Sequence, residues 1–421
     1  MIVIKKIILI VCLVCCLCGC SFLTDKSNIT SLLSAPKLSK NESEIVAAIE
    51  DYLGEAITLK YSKTQGYSAP IQLIDINYDG IYEAAVFYYA PNKGTNIRFA
   101  LLSHSHDKWK IYMDKEGLGT EVFYFDTIVL PKVYGKQITV GYKSANIEEN
   151  FFVTYFTDEE MKLPDFVERC QKIVDGDVSG GGFSDIVLTK AAYGENISVN
   201  VLSFTDKMTF KNIGSRALRY PAEYISQLII NPIESGGNAI YIDYRDGQNR
   251  THTEVYKIEG ERLISAVEGG IVSKMWEYDR PLNSRDIDGD GFIEIPTVIQ
   301  PARPQEMPSF KYMEWADWTK KEIKRKYYGI VYVNENIFIA LPDHWQNVVY
   351  ANALENGFEV VSAEDGQQLF SFTEVGKDDT ADRNGYSYVI HIGTKLWNLK
   401  CSETLDIPQA EYIYKSITDL D

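Results

Sequence analysis

One stretch of the chain, residues 39–54, places its apolar residues at helical spacing. It opens with Ser39 and Glu42 in the order of a capping box, in which each side chain accepts a hydrogen bond from the other residue's backbone N–H. The apolar positions that follow are Ile45, Ile49, Tyr52 and Leu53. Gly54 stands where a helix commonly ends, because glycine adopts the left-handed conformation at little cost. The pattern predicts one amphipathic helix over residues 39–54.

From residue 55 onward, apolar residues alternate with polar ones in short segments instead. Residues 98–102 and 109–112 are two such segments on either side of a polar turn, which predicts a β-hairpin. Three more follow at residues 239–244, 254–258 and 262–267. Many short strands at regular spacing are typical of a sandwich, a barrel or a propeller. We therefore expect a mainly β fold.

An internal repeat narrows this choice. Residues 75–83 (DINYDGIYE) and 286–294 (DIDGDGFIE) share one template, with acids or an amide at positions 1, 3 and 5, glycine at position 6 and an acid at position 9. Residues 177–185 (DVSGGGFSD) are a decayed copy without the acids at positions 3 and 5. Gly135 and Gly237 mark two fainter copies, and the five starts at 75, 130, 177, 232 and 286 are 55, 47, 55 and 54 residues apart. A period of about 50 residues is the size of a propeller blade, so the repeats predict a β-propeller.

The C-terminal part of the chain has no copy of this repeat. Strand-like segments continue there, and the Asp-Gly pair at 365–366 predicts a hairpin turn between two of them. Residues after Asp406 return to helical spacing, which predicts a closing helix. The segment 320–326 (KKEIKRK) is interpreted as a solvated basic boundary. These features predict a propeller domain over residues 55–325 and a separate small α+β domain over residues 326–421.

The N-terminal pattern is that of an exported protein. Two lysines precede an apolar run at residues 7–17, which is too short to cross a bilayer, since a spanning helix needs about 20 apolar residues. The run ends in Leu17-Cys18-Gly19-Cys20. The pattern predicts a signal peptide over residues 1–19 and a polar tether over residues 20–38. An uncleaved anchor and an ordinary secretory signal with incidental cysteines are the alternatives.

The tetrapeptide that ends at Cys20 resembles a bacterial lipobox. The resemblance implies that the sulfur of Cys20 receives a diacylglyceryl group and that the chain is cut just before it. Two acyl chains give stable anchoring where one does not. We therefore expect a lipid-anchored protein on the outer face of the cytoplasmic membrane. Beyond this region only Cys170 and Cys401 remain, too few for a disulfide framework or a metal ligand set.

The acidic loops are candidate calcium sites. Oxygen ligands at alternate positions suit a hard cation that takes about 6–8 oxygens, and the glycine permits the tight turn. In the first loop the predicted ligands are the side chains of Asp75, Asn77, Asp79 and Glu83 and the carbonyl of Ile81. In the last loop they are Asp286, Asp288, Asp290 and Glu294 and the carbonyl of Phe292. Either glutamate would bind directly or through water. The copy at 177–185 is expected to hold no ion, and for the other two loops an acidic turn that needs no ion is the alternative.

A loop of this kind followed by a strand resembles the FG-GAP or VCBS-type repeat, which builds calcium-loop β-propellers. The lipobox, a Leu-Leu-x-x-Pro stretch at residues 32–36, a short helix and then the first acidic loop resemble the VCBS-repeat lipoproteins of Gram-positive bacteria. The resemblance implies calcium-stabilised blades on a lipid-anchored protein. It implies neither a reaction nor a ligand.

Net charge restricts the partners. The formal charge is −17, and removal of residues 1–19, which carry two lysines and no acid, would bring it to −19. Such a surface disfavours nucleic acid, whose partners carry basic patches. We expect a monomeric binding module for an envelope protein or glycan, with no catalysis. The alternative is an envelope enzyme, such as a cell-wall polymer hydrolase, with acids at the propeller mouth. A solute-binding protein of a transporter is disfavoured, because the chain lacks alternating β and α units.

Overall fold

The computed structural model describes residues 38–64, 66–67, 69–144, 150–158, 161–191, 196–266, 272–274, 282–299, 310–318, 323–335, 337–375, 387–392, 394–401 and 413–414. Within these ranges the chain is mainly β, as predicted, with a single α-helix. The predicted signal peptide, most of the tether and Cys20 lie outside the described residues. No helix in these ranges is long and apolar enough to cross a membrane.

The described strands form six antiparallel sheets that follow one another along the chain, except that the last strand, Ile413–Tyr414, returns to the fifth sheet. Sheet A contains β1 (Thr58–Lys60), β2 (Ile71–Ile74), β3 (Glu83–Tyr89), β4 (Arg98–Ser105) and β5 (Lys108–Glu116). Sheet B contains β6 (Glu121–Val129), β7 (Lys136–Lys143), β8 (Asn150–Tyr155) and β9 (Phe166–Cys170). Sheet C contains β10 (Ile173–Gly176), β11 (Asp185–Lys190), β12 (Ser198–Phe204) and β13 (Phe210–Ala217). Sheet D contains β14 (Ala222–Pro232), β15 (Asn238–Asp246), β16 (Thr251–Glu259), β17 (Arg262–Ser265) and β18 (Val272–Lys274).

Two further sheets contain the remaining strands. Sheet F contains β23 (Val349–Leu354), β24 (Gly357–Ser362), β25 (Gln368–Glu374), β26 (Ser387–Ile392) and β27 (Lys395–Cys401), in the spatial order β23-β24-β25-β27-β26. Sheet E contains β19 (Glu294–Ile299), β20 (Phe310–Trp318), β21 (Ile323–Tyr332), β22 (Ile337–Leu341) and β28 (Ile413–Tyr414). Short 3-10 turns lie at Pro91–Lys93, Val333–Glu335 and Asp343–Trp345.

Sheet E spans the predicted domain boundary between residues 325 and 326. The strand β21 runs through this position and pairs with β20 on one side and β22 on the other. Ile413 and Tyr414, expected in the closing helix, form β28 instead, because they pair with the otherwise open edge of β22. The rest of that predicted helix lies outside the described residues.

The helix α1 (Lys40–Leu53) packs on sheet A and confirms the predicted element. The N–H of Glu42 donates to Ser39 Oγ at 3.2 Å, and the N–H of Ser39 donates to the Glu42 carboxylate at 2.7 Å. These hydrogen bonds lower the pKa of Glu42. Ile45 and Ile49 are fully buried, whereas Tyr52, expected on the same face, is 60% exposed. Tyr52 lies at the margin of the apolar face, so the prediction that it is buried with Ile45 and Ile49 was wrong.

Consecutive sheets pack against one another through apolar clusters. One cluster joins sheets A and B around Phe87, Phe99 and Phe125. Further clusters join B to C, C to D, D to E and E to F. Among the described residues, no cluster joins sheet F back to sheet A, so a closed propeller stays a prediction.

The five repeat loops occupy equivalent places: between β2 and β3 in sheet A, between the first two strands of sheets B, C and D, and before β19 in sheet E. Their position-6 glycines all have positive φ: Gly80 (82°), Gly135 (74°), Gly182 (77°), Gly237 (82°) and Gly291 (91°). Neighbouring loops are hydrogen bonded in chain order. The bonds are Lys136 N to Ile76 O (2.8 Å), Ser184 N to Val129 O (2.9 Å) and the Asn238 amide to Asp177 O (2.7 Å). With its amide oxygen and nitrogen exchanged, Asn231 also donates to Gly291 O (3.1 Å). The sequence repeat is therefore also a structural repeat.

Candidate metal centres

Three of these loops, here called the Asp75 loop (residues 75–83), the Asp177 loop (177–185) and the Asp286 loop (286–294), share a hydrogen-bond pattern. The position-9 carboxylate accepts from the position-2 N–H: Ile76 to Glu83 (3.0 Å), Val178 to Asp185 (3.0 Å) and Ile287 to Glu294 (2.8 Å). The position-6 glycine N–H donates to the first acid: Gly80 to Asp75 (3.2 Å), Gly182 to Asp177 (2.7 Å) and Gly291 to Asp286 (2.8 Å). Burial raises the pKa of both Glu83 and Glu294, and the N–H donors partly offset this effect.

The Asp75 loop leaves one carboxylate oxygen without a partner. Asn77 Nδ2 donates to Asp79 Oδ2 at 3.0 Å, and the N–H of Ile81 donates to Asp79 Oδ1 at 2.7 Å. Asp75 Oδ2 accepts from Gly80, whereas Asp75 Oδ1 is buried and accepts no hydrogen bond. A buried polar atom without a partner is costly. A cation would supply that partner, so the residues present fit a metal ion.

In the Asp286 loop three carboxylates form a candidate ligand set. The ligand oxygens of Asp286, Asp288 and Glu294 all lie within 4.8 Å of one another, so this triad could hold a metal ion. Asp286 is fixed by the N–H groups of Gly289 (2.6 Å) and Gly291 (2.8 Å). Oxygen-only ligands suit a hard cation. In the described ranges, no other group of three His, Cys, Asp or Glu residues meets this spacing.

The ammonium group of Lys326 lies among the same carboxylates. Its Nζ is 2.7 Å from Asp288, 2.5 Å from Asp290 and 2.9 Å from Glu294. Asp317 Oδ1 lies 3.8 Å away, and the Asp317 carboxyl group is also hydrogen bonded to that of Glu294. Burial would lower the pKa of Lys326, but its hydrogen bonds to the three loop acids outweigh burial and raise it. Among the described residues, the Asp286 loop is the only one of the three loops whose acids form salt bridges.

A β-bulge explains how Lys326 reaches this loop. Trp315 of β20 pairs with Tyr327 and the next residue, Ala316, pairs with Arg325, so Lys326 is the extra residue of β21. A bulge bends its strand and re-aims the side chain. The hydroxyl of Tyr327 also donates to Asp288 Oδ2, at 2.6 Å. Two consecutive residues of β21 therefore contact the loop.

In the Asp177 loop both carboxylates accept hydrogen bonds from the backbone of the loop itself, so we call this loop closed by its own backbone. Asp177 accepts from the N–H groups of Gly180 (2.7 Å), Gly181 (3.0 Å) and Gly182 (2.7 Å). The buried Asp185 accepts from those of Val178 (3.0 Å) and Ser179 (2.8 Å). Five N–H donors therefore serve the two carboxylates that remain in this copy.

The predicted ligands lie closer together in the Asp286 loop than in the Asp75 loop. The structure brings three acids of the Asp286 loop together, but it does not bring the acids of the Asp75 loop to the same spacing. Metal ligation by the carbonyl groups of Ile81 and Phe292 stays a prediction. Lys326 is not among the predicted site residues, because the basic segment 320–326 has the composition of a solvated boundary, whereas this side chain is only 19% exposed. The adjacent aromatic residues Tyr327 and Tyr328, which break the alternation of β21, are the available sequence signal of the bulge.

Exposed side chains border the Asp75 loop. Tyr78, Ile81 and Tyr82 are 55%, 48% and 56% exposed, and Tyr134 from the next repeat loop is 66% exposed. The hydroxyl of Tyr134 donates to the carbonyl of Asn77, which ties this ring to the loop. We call Tyr78, Ile81, Tyr82 and Tyr134 the tyrosine edge. These side chains are carried by backbone that is already fixed by hydrogen bonds.

A separate pair of acids lies on the first strands of sheets B and C. Asp126 is on β6 and Asp175 is on β10, and these strands contact each other. Tyr67 donates to Asp126 at 3.3 Å, and Tyr124 donates to Asp175. Burial, followed by the charge of Asp126, raises the pKa of Asp175 to about 7. Burial also raises the pKa of Asp126. With this pKa, Asp175 is partly protonated near neutral pH.

Comparisons with known proteins add little to this description. No family model matches the chain. No curated protein matches it either. Among solved structures, the chain is similar to a protein of Bacteroides fragilis that is provisionally described as a 6-phosphogluconolactonase, with 11% identity and a TM-score of 0.31 over 72% of this chain and 82% of that one. A similarity of this degree assigns neither a fold nor an activity.

Proposed function

We propose that the chain is a lipid-anchored, extracytoplasmic binding module built as a β-propeller of the FG-GAP or VCBS type. Six sheets in chain order, packed one on the next, and five equivalently placed loops support the architecture. The observation that carries the binding role is the tyrosine edge, because exposed aromatic residues on loops held by a rigid scaffold are typical of recognition surfaces. The partner is an envelope protein or glycan.

Co-sedimentation of the mature chain with washed envelope and with purified cell-wall glycan tests this role. Tyr78→Ala combined with Tyr82→Ala should weaken binding by about tenfold or more, since buried tyrosines dominate many interfaces. Tyr52→Ala is the matched control, because Tyr52 is equally exposed but lies on α1. Equal binding by the control and the double variant would exclude the tyrosine edge as the binding surface.

The lipid anchor is tested at Cys20. Cys20→Ala should release the protein to the medium or leave an unprocessed precursor. Cys18→Ala is the control, because it keeps a small residue inside the lipobox and leaves Cys20 intact. A mature-sized Cys20→Ala chain that remains wholly with the membrane would contradict lipidation.

Calcium is the proposed ligand of the Asp75 and Asp286 loops, through the side-chain and carbonyl oxygens named above. The unpartnered oxygen of Asp75 and the Asp286 triad support this. At a calcium level between one and ten times an extracellular-type dissociation constant, each site contributes about 0.4–1.4 kcal/mol. The role is therefore structural. Calorimetry should detect binding that Asp75→Asn with Asp79→Asn removes from the first loop. No heat at millimolar calcium, with a melting temperature indifferent to chelator, would make both loops plain turns.

The Asp126–Asp175 pair favours a second candidate function, an envelope enzyme such as a cell-wall polymer hydrolase. Glycoside hydrolysis uses two carboxyl groups, one with a raised pKa that acts as general acid. Asp175 has the raised pKa that this role requires. Release of soluble fragments from cell-wall glycan by the mature chain, and its loss in Asp175→Asn and Asp126→Asn, would favour the enzyme. If no fragments are released, the proposal of a binding module without catalysis is favoured.

A further inference from the structure

The place of a cation among Asp288, Asp290 and Glu294 is taken by an amino acid of the same chain. We propose that Lys326 is the resident cation of the Asp286 loop, whose ammonium group neutralises the loop acids in the absence of calcium and must leave before calcium binds. This inference rests on the proposed calcium-binding role of the acidic loops and specifies how one of them is regulated. The two loops then differ in how their negative charge is neutralised: the Asp75 loop depends on calcium for this, and the Asp286 loop does not.

The hydrogen-bond geometry fits a resident cation. A lysine ammonium has three N–H donors; Nζ of Lys326 donates to Asp290 at 2.5 Å and to Glu294 at 2.9 Å, and it lies 2.7 Å from Asp288. These distances are those of charge-assisted hydrogen bonds. Asp288 and Glu294 also belong to the triad that could hold a metal ion. The ammonium group and a metal ion therefore compete for two of the same carboxylates, Asp288 and Glu294.

The local charge explains why calcium can still displace the lysine. Four carboxyl groups lie within 4.0 Å of a single ammonium group. A divalent cation neutralises more of this charge than a lysine does. Calcium binding here is thus an exchange, and the lost Lys326 contacts weaken the affinity relative to a loop with no internal cation.

The position of Lys326 supports a dedicated role rather than a chance surface contact. The side chain is 19% exposed, and Glu294 is fully buried. The bulge that directs Lys326 to the loop makes it the unpaired residue of β21. Exposed salt bridges are generally weak because water and salt screen them, but this one is largely shielded. An ordinary structural salt bridge would differ in one measurable way: its removal would not tighten calcium binding.

The test uses the mature chain with the Asp75 loop silenced by Asp75→Asn and Asp79→Asn, so that calcium binding reports on the Asp286 loop. In this background, Lys326→Met should tighten calcium binding by about tenfold or more, because a competing positive charge within about 3 Å is removed. Calcium should also raise the melting temperature of Lys326→Met more than that of its parent. Addition of Asp288→Asn should abolish the gain and so locate it.

Lys115→Met is the matched control. Lys115 pairs with Asp165 at 2.8 Å in a partly exposed salt bridge away from the acidic loops. Its removal should leave calcium affinity unchanged. Lys326→Gln, which keeps hydrogen-bond donors but no charge, should behave like Lys326→Met if charge is the deciding property.

The outcomes separate this inference from the proposed function. No gain of affinity in either Lys326 variant would overturn the resident-cation role, whatever the Asp75 loop does. A gain in these variants, with no binding in the unaltered Asp75 loop, would support the role and reject calcium in the first loop. Variants that fold in calcium but not in chelator support it as well. Lys326 variants that fold neither in calcium nor in chelator would show that Lys326 has a role that a metal ion cannot replace. That result would overturn the inference.

Discussion

The Asp75 loop and the Asp286 loop share a sequence template and a backbone hydrogen-bond pattern, yet they balance their negative charge differently. The Asp75 loop has an amide, Asn77, at the position of Asp288, and it leaves a buried oxygen of Asp75 without a partner. The Asp286 loop has one more acid and a lysine ammonium inside it. The loop backbone is therefore set by the template, whereas the source of positive charge is set by the neighbouring strand.

The two loops also have different neighbours. The Asp75 loop rests on the next repeat, where the N–H of Lys136 donates to the Ile76 carbonyl at 2.8 Å and Gly135 approaches the same carbonyl. The Asp286 loop also contacts β21 of its own sheet, through Lys326 and Tyr327. A change in the Asp75 loop should therefore affect mainly the contact between sheets, whereas a change in the Asp286 loop should also affect its own sheet.

The largest expected difference concerns the two position-9 glutamates. In chelator, Glu294→Ala should lower the free energy of unfolding by about 3 kcal/mol, because it removes one partner of a shielded ion pair and leaves Lys326 with fewer acceptors. Glu83→Ala removes only the acceptor of the Ile76 N–H, so about 1 kcal/mol is expected. Urea denaturation measures both values. Equal losses in the two variants would show that Lys326 adds nothing to stability.

A second comparison tests the contact between neighbouring repeats. Gly135 and Gly237 both have positive φ, so alanine at either position should cost about 1–2 kcal/mol. A Cβ at Gly135 would also lie 2.6 Å from the Ile76 carbonyl oxygen, whereas nothing lies within 4 Å of one at Gly237. Gly135→Ala should therefore be the more destabilising, and thermal melting of the two variants measures the difference. Equal melting temperatures would mean that the Asp75 loop moves freely relative to the next repeat.

Much of the local structure could be predicted from the sequence because its signals are short in range. The capping box at Ser39 and Glu42, the hairpin around residues 98–112 and the turn at Gly366 all depend on residues a few positions apart. The repeat could be recognised because the position-6 glycine has positive φ in every copy, which few other residues adopt.

The contacts that decide the chemistry could not be predicted in the same way, because they join distant parts of the chain. Lys326 reaches Glu294 only because β21 bulges opposite β20, and strand register is a property of the folded sheet. The Asp126–Asp175 pair likewise requires that β6 and β10 meet between two sheets. Sequence spacing contains neither fact.

The smallest effect is expected in a comparison of the Asp75 loop with the Asp177 loop, which is closed by its own backbone. Asp177→Ala removes the acceptor of three N–H groups, and it should destabilise the chain by the same amount, about 1–2 kcal/mol, in calcium and in chelator. Asp75→Ala removes one hydrogen bond and a proposed metal ligand. Its cost should therefore be larger in calcium than in chelator, by about 0.4–1.4 kcal/mol. Denaturant unfolding of both variants under the two conditions measures this difference, with Asp177→Ala as the internal control for any general effect of calcium. If Asp75→Ala is equally costly with and without calcium, the buried oxygen of Asp75 has no metal partner, and the Asp75 loop is an acidic turn like the Asp177 loop.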